Sequence, residues 1–297
     1  MIRKIGALFL CAALLFGATA CSATHKSTAD GSGKIRVVVT FDALNEFVRA
    51  VGGDRVSIST IIPDGTEPHD FEPKPKDLAG IRGAAVFVYN GLGMENWASK
   101  AVQAAKNPQL VAVEASEGAT AIGGGTTDSQ PDPHLWLSLK GAELEAGNIR
   151  DGLIRADPSG AQEYRANCDR FTAQLEALFQ AYQAKFEKAP RRDFVTGHAA
   201  FGYLCRDFGL TQHSVEDVFA DGEPSPRQLE TLITYCRKNA VHTIFAEEMV
   251  SPAISQTLAS SVGAKVVPIY TMESRESGKT YLARMQSNLE KIDASLQ

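Results

Sequence analysis

Three histidines stand far apart in the chain: His69 in TEPHDFEP, His134 in PDPHLWLS and His198 in VTGHAAFGY. Each lies at or just beyond the end of a predicted strand. Any one of them alone reads as an ordinary surface or core residue. Of six histidines in all, three in such placements have no local explanation, whereas a shared metal ion would explain them together. His213 and His242 begin or sit inside strands and read as structural. His25 falls in a polar N-terminal stretch.

These side chains need a frame, and the frame is an alternation of strands and helices. KIRVVVT (34–40), VSISTIIP (56–63), AAVFVYN (84–90) and QLVAVEA (109–115) read as strands in the first half. The third is continuously apolar, as expected of a strand covered on both faces. A Gly-rich loop, 118–133, delivers His134. From about Gly141 to Lys188 the apolar spacing is helical, with one interruption at Asp157-Pro158, where aspartate could cap a new helix with proline in its first position. The alternation then resumes with DFVTGH (193–198), QHSVEDV, HTIFAEE (242–248) and KVVPIY (265–270). Ser225-Pro226-Arg227-Gln228 has the form of a capping box with proline at the first helical position.

The pattern predicts an α/β protein of two lobes with mostly parallel sheets, joined by one long helix. Ligands of such sheets bind beyond the carboxyl ends of the strands. His198 ends a strand, His69 follows one, and Glu273 follows VVPIY. The expected organisation is a leader over 1–20, a tether over 21–33, a first lobe over 34–140, a connecting helix over 141–188 and a second lobe over 189–297.

MIRK, an apolar run and GATAC form the pattern of a secretory signal peptide, too short to span a membrane. Cys21 follows Ala18-Thr19-Ala20 and resembles a lipidation site. The Gly/Ser-rich SATHKSTADGSGK behind it reads as a flexible tether. The body is therefore expected outside the cytoplasm, lipid-anchored to the membrane at Cys21, or periplasmic if cleaved without lipidation. The formal charge is −5; the first twenty residues carry Arg3 and Lys4 and no acid, so without them it is −7. That argues against nucleic acid as a partner, which would want a basic stripe. Cys168, Cys205 and Cys236 remain in the body and fit no CxxC motif. A Cys205–Cys236 disulfide and three buried free thiols are both open readings.

Longer stretches carry a resemblance. EPHDFEPKPKDLAGIRGAAVFVYNGLGMENW, DPHLWL, DPSGAQEYRANCDRF, TGHAAFGYLCRDFGL and GEPSPRQLETLITYCRKNAVHTIFAEE resemble the metal-binding solute-binding proteins of zinc and manganese ABC transporters, often surface lipoproteins and sometimes called adhesins. The resemblance runs from about residue 35 to the end. It implies two pseudo-symmetric lobes on a rigid helix with metal in the cleft, and as partners an ABC permease and its ATPase at the membrane. It implies His69 and His134 as ligands from the first lobe and His198 from the second. The fourth ligand in the family is a carboxylate near the C-terminus. In IYTMESRESGKTYL the best match is Glu273, with Met272 in its place under a one-residue shift. A monomer is expected.

Zinc accepts imidazole and carboxylate in four-coordinate sites. Manganese prefers more oxygen, so histidine at 198 favours Zn(II) over Mn(II). Each histidine also needs its other ring nitrogen held; Asp70, Asp132, Glu247 and Glu248 are the candidate acceptors. The expected role is capture and delivery without catalysis, with the loop bearing Glu273 as the release gate. Three alternatives stay open. One is a manganese-binding homologue. Another is a zinc hydrolase, if water rather than Glu273 fills the fourth position, although no HExxH or nucleophile elbow is present. The third is a surface adhesin.

Overall fold

The structure is a computed structural model that describes residues 33–123, 130–219, 225–247, 252–276 and 278–297. The leader, the tether and Cys21 lie outside the described residues, as does Glu248.

Among the described residues, eight strands form two sheets, each of four parallel strands. The first contains β1 (Ile35–Val39), β2 (Val56–Thr60), β3 (Val86–Tyr89) and β4 (Val111–Glu114), in the order β2-β1-β3-β4. The second contains β5 (Asp193–Thr196), β6 (Thr211–Ser214), β7 (Thr243–Glu247) and β8 (Lys265–Ile269), in the order β6-β5-β7-β8. The two orders are the same when counted along the chain, which gives the two lobes their likeness.

The helices are α1 (Asp42–Gly52), α2 (Pro75–Arg82), α3 (Ala98–Ala105), α4 (Leu139–Ala156), α5 (Ala161–Phe186), α6 (Gly202–Phe208), α7 (Pro226–Lys238), α8 (Pro252–Val262) and α9 (Tyr281–Ser295). The long helical stretch breaks at Asp157-Pro158, and α5, with 26 residues, runs on to the second lobe. Ser225 and Gln228 close a reciprocal capping box at the start of α7. At α2 the lysine preceding the helix has no side-chain acceptor to offer. Asp77 instead accepts the Lys74 backbone N–H at 2.8 Å, which satisfies one donor of the entry turn.

Side chains alternate across each sheet because successive residues of a strand point to opposite faces. Val37, Val39, Val86, Val88, Phe194 and Phe245 enter one central core, which α1, α4, α5, α6 and α9 complete. Val38 and Phe87 face a second cluster with α2 and α3. Val195 and Ile244 face a third with α7 and α8. Both sheets are thus covered on both faces, which is why their strands read as apolar runs. The central core passes from one lobe to the other without a break.

Cys168, Cys205 and Cys236 are buried and free, so the disulfide alternative is corrected. Burial pushes the Cys205 thiol up, keeping it an inert apolar side chain. Among the described residues, no helix is long and apolar enough to cross a membrane.

Candidate metal centre

The strand order of each sheet reverses beside its first strand, and in such sheets the crevice opens beyond the strand ends. In the second lobe β5 ends at Thr196 and delivers His198 two residues later. The neighbouring β7 ends at Glu247. Glu247 Oε1 accepts the His198 backbone N–H at 3.2 Å and lies 3.7 Å from ring Nδ1. Gly197 makes this approach feasible, since a Cβ there would stand 2.2 Å from Glu247 Oε2. The His198 carbonyl accepts from Thr196 Oγ1 and Gln212 Nε2.

His134 arrives from the first lobe at the turn before a short 3-10 segment, Leu135–Leu137. Its ring Nδ1 lies 2.9 Å from Asp132 Oδ1, which also accepts the His134 backbone N–H at 2.8 Å. An ionised Asp132 fixes the tautomer with the proton on Nδ1 and aims the Nε2 lone pair into the site. Asp132 is held in turn by Tyr203, whose hydroxyl donates to the Asp132 carbonyl at 2.7 Å. Gly202 leaves room for it, because a Cβ there would meet Asp132 Oδ2 at 2.7 Å.

His69 comes from the loop after β2. Its Nε2 lies 3.3 Å from His134 Nε2, and His198 Nε2 lies 3.4 Å from the same atom. Glu273 follows β8, and its Oε1 is 3.9 Å from His134 Nε2. The donor atoms of the four residues all fall within 4.8 Å of one another. A tetrahedral ion with bonds of about 2.0–2.1 Å would set its ligands about 3.3–3.4 Å apart. The two nitrogen–nitrogen separations match that edge.

Met272 and Glu273 are separated by backbone geometry. Met272 has φ of 62° and a fully buried side chain in the central core. This left-handed turn, unusual for a side chain other than glycine, sends methionine inward and the next carboxylate to the histidines. The Thr271 hydroxyl donates to Glu273 Oε2 at 2.9 Å. Of the four candidate acceptors, the structure brings Asp132 and Glu247 to histidines. It does not bring Asp70: that residue is exposed in the turn beside His69, and His69 Nδ1 is buried with no hydrogen-bond partner. Gly197, Gly202 and Tyr203 escaped the reading of the sequence, although both glycines sit in the TGHAAFG segment that frames His198.

Burial governs the charges. It holds His69 down to about 3, helped by His134 beside it, and His134 down to about 3. His198 is lowered well below the usual range by burial and then by His134 and His69. All three imidazoles are therefore neutral and ready to donate lone pairs. Burial also raises Asp132 to about 7, Glu95 to about 7 and Glu247 to about 8.

A pH dependence follows with a definite sign. The depressed histidines contribute stability above about pH 6.5 that is lost as pH falls toward 3. The raised carboxyls contribute stability that is full below about pH 4 and lost as pH rises through 7 to 8. Above pH 6.5 only the carboxyl effect remains. The metal-free protein should therefore melt at a lower temperature at pH 8.5 than at pH 6.5, by calorimetry. A bound cation favours ionised Asp132, so the zinc-loaded protein should show a shallower fall. A metal-free melting temperature that rises over this range would contradict the assignment.

Comparison with known proteins agrees with this geometry. Residues 37–295 match the family model described as zinc-uptake complex component A, periplasmic. A protein of Treponema pallidum (strain Nichols) named for metal binding is 42% identical over 294 residues, covering 95% of this chain and 93% of its own. The high-affinity zinc uptake system protein ZnuA of Bacillus subtilis (strain 168) is 34% identical, covering 100% of this chain and 99% of its own. Among solved structures, the laminin-binding protein of Streptococcus agalactiae, described as bifunctional with adhesin and metal-transporting activity, superposes with a TM-score of 0.83 at 34% identity. That match covers 89% of this chain and 100% of the other.

Proposed function

The chain belongs to the periplasmic zinc-uptake component A family, and from that membership we propose that it captures Zn(II) outside the cytoplasm and hands it to an ABC permease driven by its ATPase. The metal is cargo, and the protein performs no chemistry on it. His69, His134, His198 and Glu273 are the ligands. Asp132 orients the His134 ring, and Glu247 holds the His198 backbone and stands 3.7 Å from its ring. The observation that carries this reading is the convergence of three imidazoles and one carboxylate within 4.8 Å of one another, with His69 and His198 Nε2 each at the edge length of a tetrahedral ion from His134 Nε2.

Three imidazoles and one carboxylate suit zinc better than manganese, which favours oxygen-rich surroundings. A catalytic zinc usually keeps an open position for water. Here Glu273 supplies a fourth donor, which favours holding over hydrolysis. The lobes comprise 34–140 and 189–297 with 141–188 between them, behind a signal peptide over 1–20 and a tether over 21–33. Lipidation at Cys21 would keep the monomeric body at the membrane. A second activity, adhesion to host matrix, is suggested by the likeness to the streptococcal laminin-binding protein.

The test is metal analysis of the purified mature protein with competitive titration. One zinc per chain is expected, with zinc displacing manganese at equal free concentrations. Preferential retention of manganese, or zinc binding that survives loss of all four side chains, would refute the assignment.

A further inference from the structure

The four donors are held unequally. Asp132 stands behind His134 at 2.9 Å, and the buried Glu247 carboxylate stands behind His198. Thr271 donates to Glu273. The loop bearing Glu273 is also fastened to the first lobe. Trp136 Nε1 donates to the Thr271 carbonyl at 2.7 Å and the Asp42 N–H to the Glu273 carbonyl at 3.3 Å, while Arg284 of α9, paired with Asp42, donates to the Ser274 carbonyl at 2.9 Å. The Gly65 N–H reaches Ser274 Oγ at 2.7 Å. A loop tied at so many points makes a poor gate.

His69 differs from the others. It is the one of the four that is only half-buried. Its Nδ1 has no hydrogen-bond partner, as is also true of His198 Nδ1, but no carboxylate stands behind its ring as Glu247 does, 3.7 Å from that of His198. What lies against its ring is aromatic. Phe219 packs edge-on at 5.6 Å between centroids, and His134 packs edge-on at 5.1 Å.

Phe219 comes from the opposite lobe. Its segment is bonded to the turn that carries His198: the N–H groups of Val215 and Glu216 donate to the Gly197 carbonyl at 3.0 and 2.8 Å, and the Ala199 N–H donates to the Asp217 carbonyl at 3.2 Å. The Phe219 N–H donates to Asp217 Oδ1 at 3.1 Å. The phenyl ring is therefore placed by the same turn as His198, and it reaches across the cleft to His69.

We propose that Phe219 is a positioning residue for metal retention: its ring does for His69 what the Asp132 carboxylate does for His134, orienting the imidazole, and it covers that ring from water and couples the approach of the second lobe to the aim of a first-lobe ligand. This rests on the zinc-capture reading above. Phe219 touches no metal itself. Its loss should speed escape of the ion and leave the metal-free fold untouched.

The experiment is a chelator chase of the zinc-loaded full mature protein, comparing wild type with F219A and F219Y. An edge-to-face aromatic contact is worth about a threefold to tenfold change in rate, and changes of this kind fall mainly on dissociation. F219A should release zinc faster by that factor, F219Y should restore the wild-type rate, and the metal-free melting temperatures of all three should coincide. An F219A rate equal to wild type overturns the proposal, as does an F219Y rate as fast as F219A. A metal-free F219A that melts well below wild type also overturns it, because Phe219 would then be ordinary packing. If wild type itself retains no zinc, the capture reading fails together with this one; if wild type retains zinc and F219A releases it unchanged, only the role of Phe219 fails.

Discussion

His134→Ala should lower zinc affinity by roughly 10²- to 10³-fold, the largest single-ligand loss we expect. Zinc sites of four ligands bind with about 10–16 kcal/mol, so an average ligand carries about 3–4 kcal/mol, and each 1.4 kcal/mol is tenfold. His134 stands above that average on geometry. Its Nε2 lies 3.3 Å from that of His69, 3.4 Å from that of His198 and 3.9 Å from the Glu273 carboxylate. It is fully buried and has the closest carboxylate support. Removing it takes away the ligand that Asp132 and Tyr203 exist to aim. Competition with a chromogenic chelator reads the affinity directly. A thermal readout should agree: at free zinc about 100 times the wild-type dissociation constant, binding stabilises the native protein by about 2.7 kcal/mol, and the variant should lose nearly all of that gain. Wild-type affinity in the variant would remove His134 from the ligand set.

The second large effect concerns stability and is expected at Arg284. This side chain is fully buried and lies 2.6 Å from the equally sequestered Asp42. It springs from α9, near the C-terminus, and meets Asp42 in the first turn of α1, where an acidic residue suits the helix N-terminus. It also donates to the Ser274 carbonyl in the loop that presents Glu273. Arg284→Leu would leave the buried Asp42 carboxylate with only the exposed Arg275 guanidinium, 4.0 Å away, as a cation. Breaking such a pair from one side costs about 3–5 kcal/mol, whereas replacing both partners with apolar residues is often neutral. Urea denaturation of the metal-free protein should show this loss in R284L and its substantial recovery in the double variant D42L/R284L. Zinc affinity should stay reduced in both, since neither supplies a donor to the Ser274 carbonyl. A single variant as stable as wild type would show that the pair does not hold the C-terminal helix to the first lobe.

The two effects describe one design. The chain crosses into the second lobe along α5, yet the segment after β8 returns to the first lobe through Trp136, Asp42 and Arg284. Glu273, which belongs to the second lobe in sequence, is therefore steadied by both lobes. This shifts attention from the Glu273 loop, the gate expected from the resemblance, to the looser His69 and the ring of Phe219 beside it.

Much of the frame was legible in the residues. Seven of the eight described strands were visible as apolar or alternating runs, because side-chain burial follows the twofold strand period; β6, expected over QHSVEDV, spans the polar Thr211–Ser214 instead. The break at Asp157-Pro158 and the capping box at Ser225 were legible because proline and hydroxyl side chains act on backbone groups within one turn. His69, His134 and His198 stood out because their segments, far apart in the chain, have no local need of a histidine, whereas a shared metal ion would explain all three. Asp132 and Glu247 were among the candidate acceptors, but so was Asp70, and sequence proximity gave no means of separating them. Asp70 adjoins His69 and points to solvent, whereas Glu247 is remote from His198 and lies against it.

Alone, then, the order of residues determined the alternation of elements, the parallel two-lobed class and the three histidine loops. These follow from interactions between near neighbours and from the periodicity of burial. Only the folded molecule decided that Glu273 rather than Met272 faces the histidines, which carboxylates stand behind which rings, and that Phe219 closes on His69. Those choices depend on one left-handed residue, on the room left by Gly197 and Gly202, and on contacts between segments separated by most of the chain. Such contacts arise when sheets and helices pack, and no local pattern encodes them.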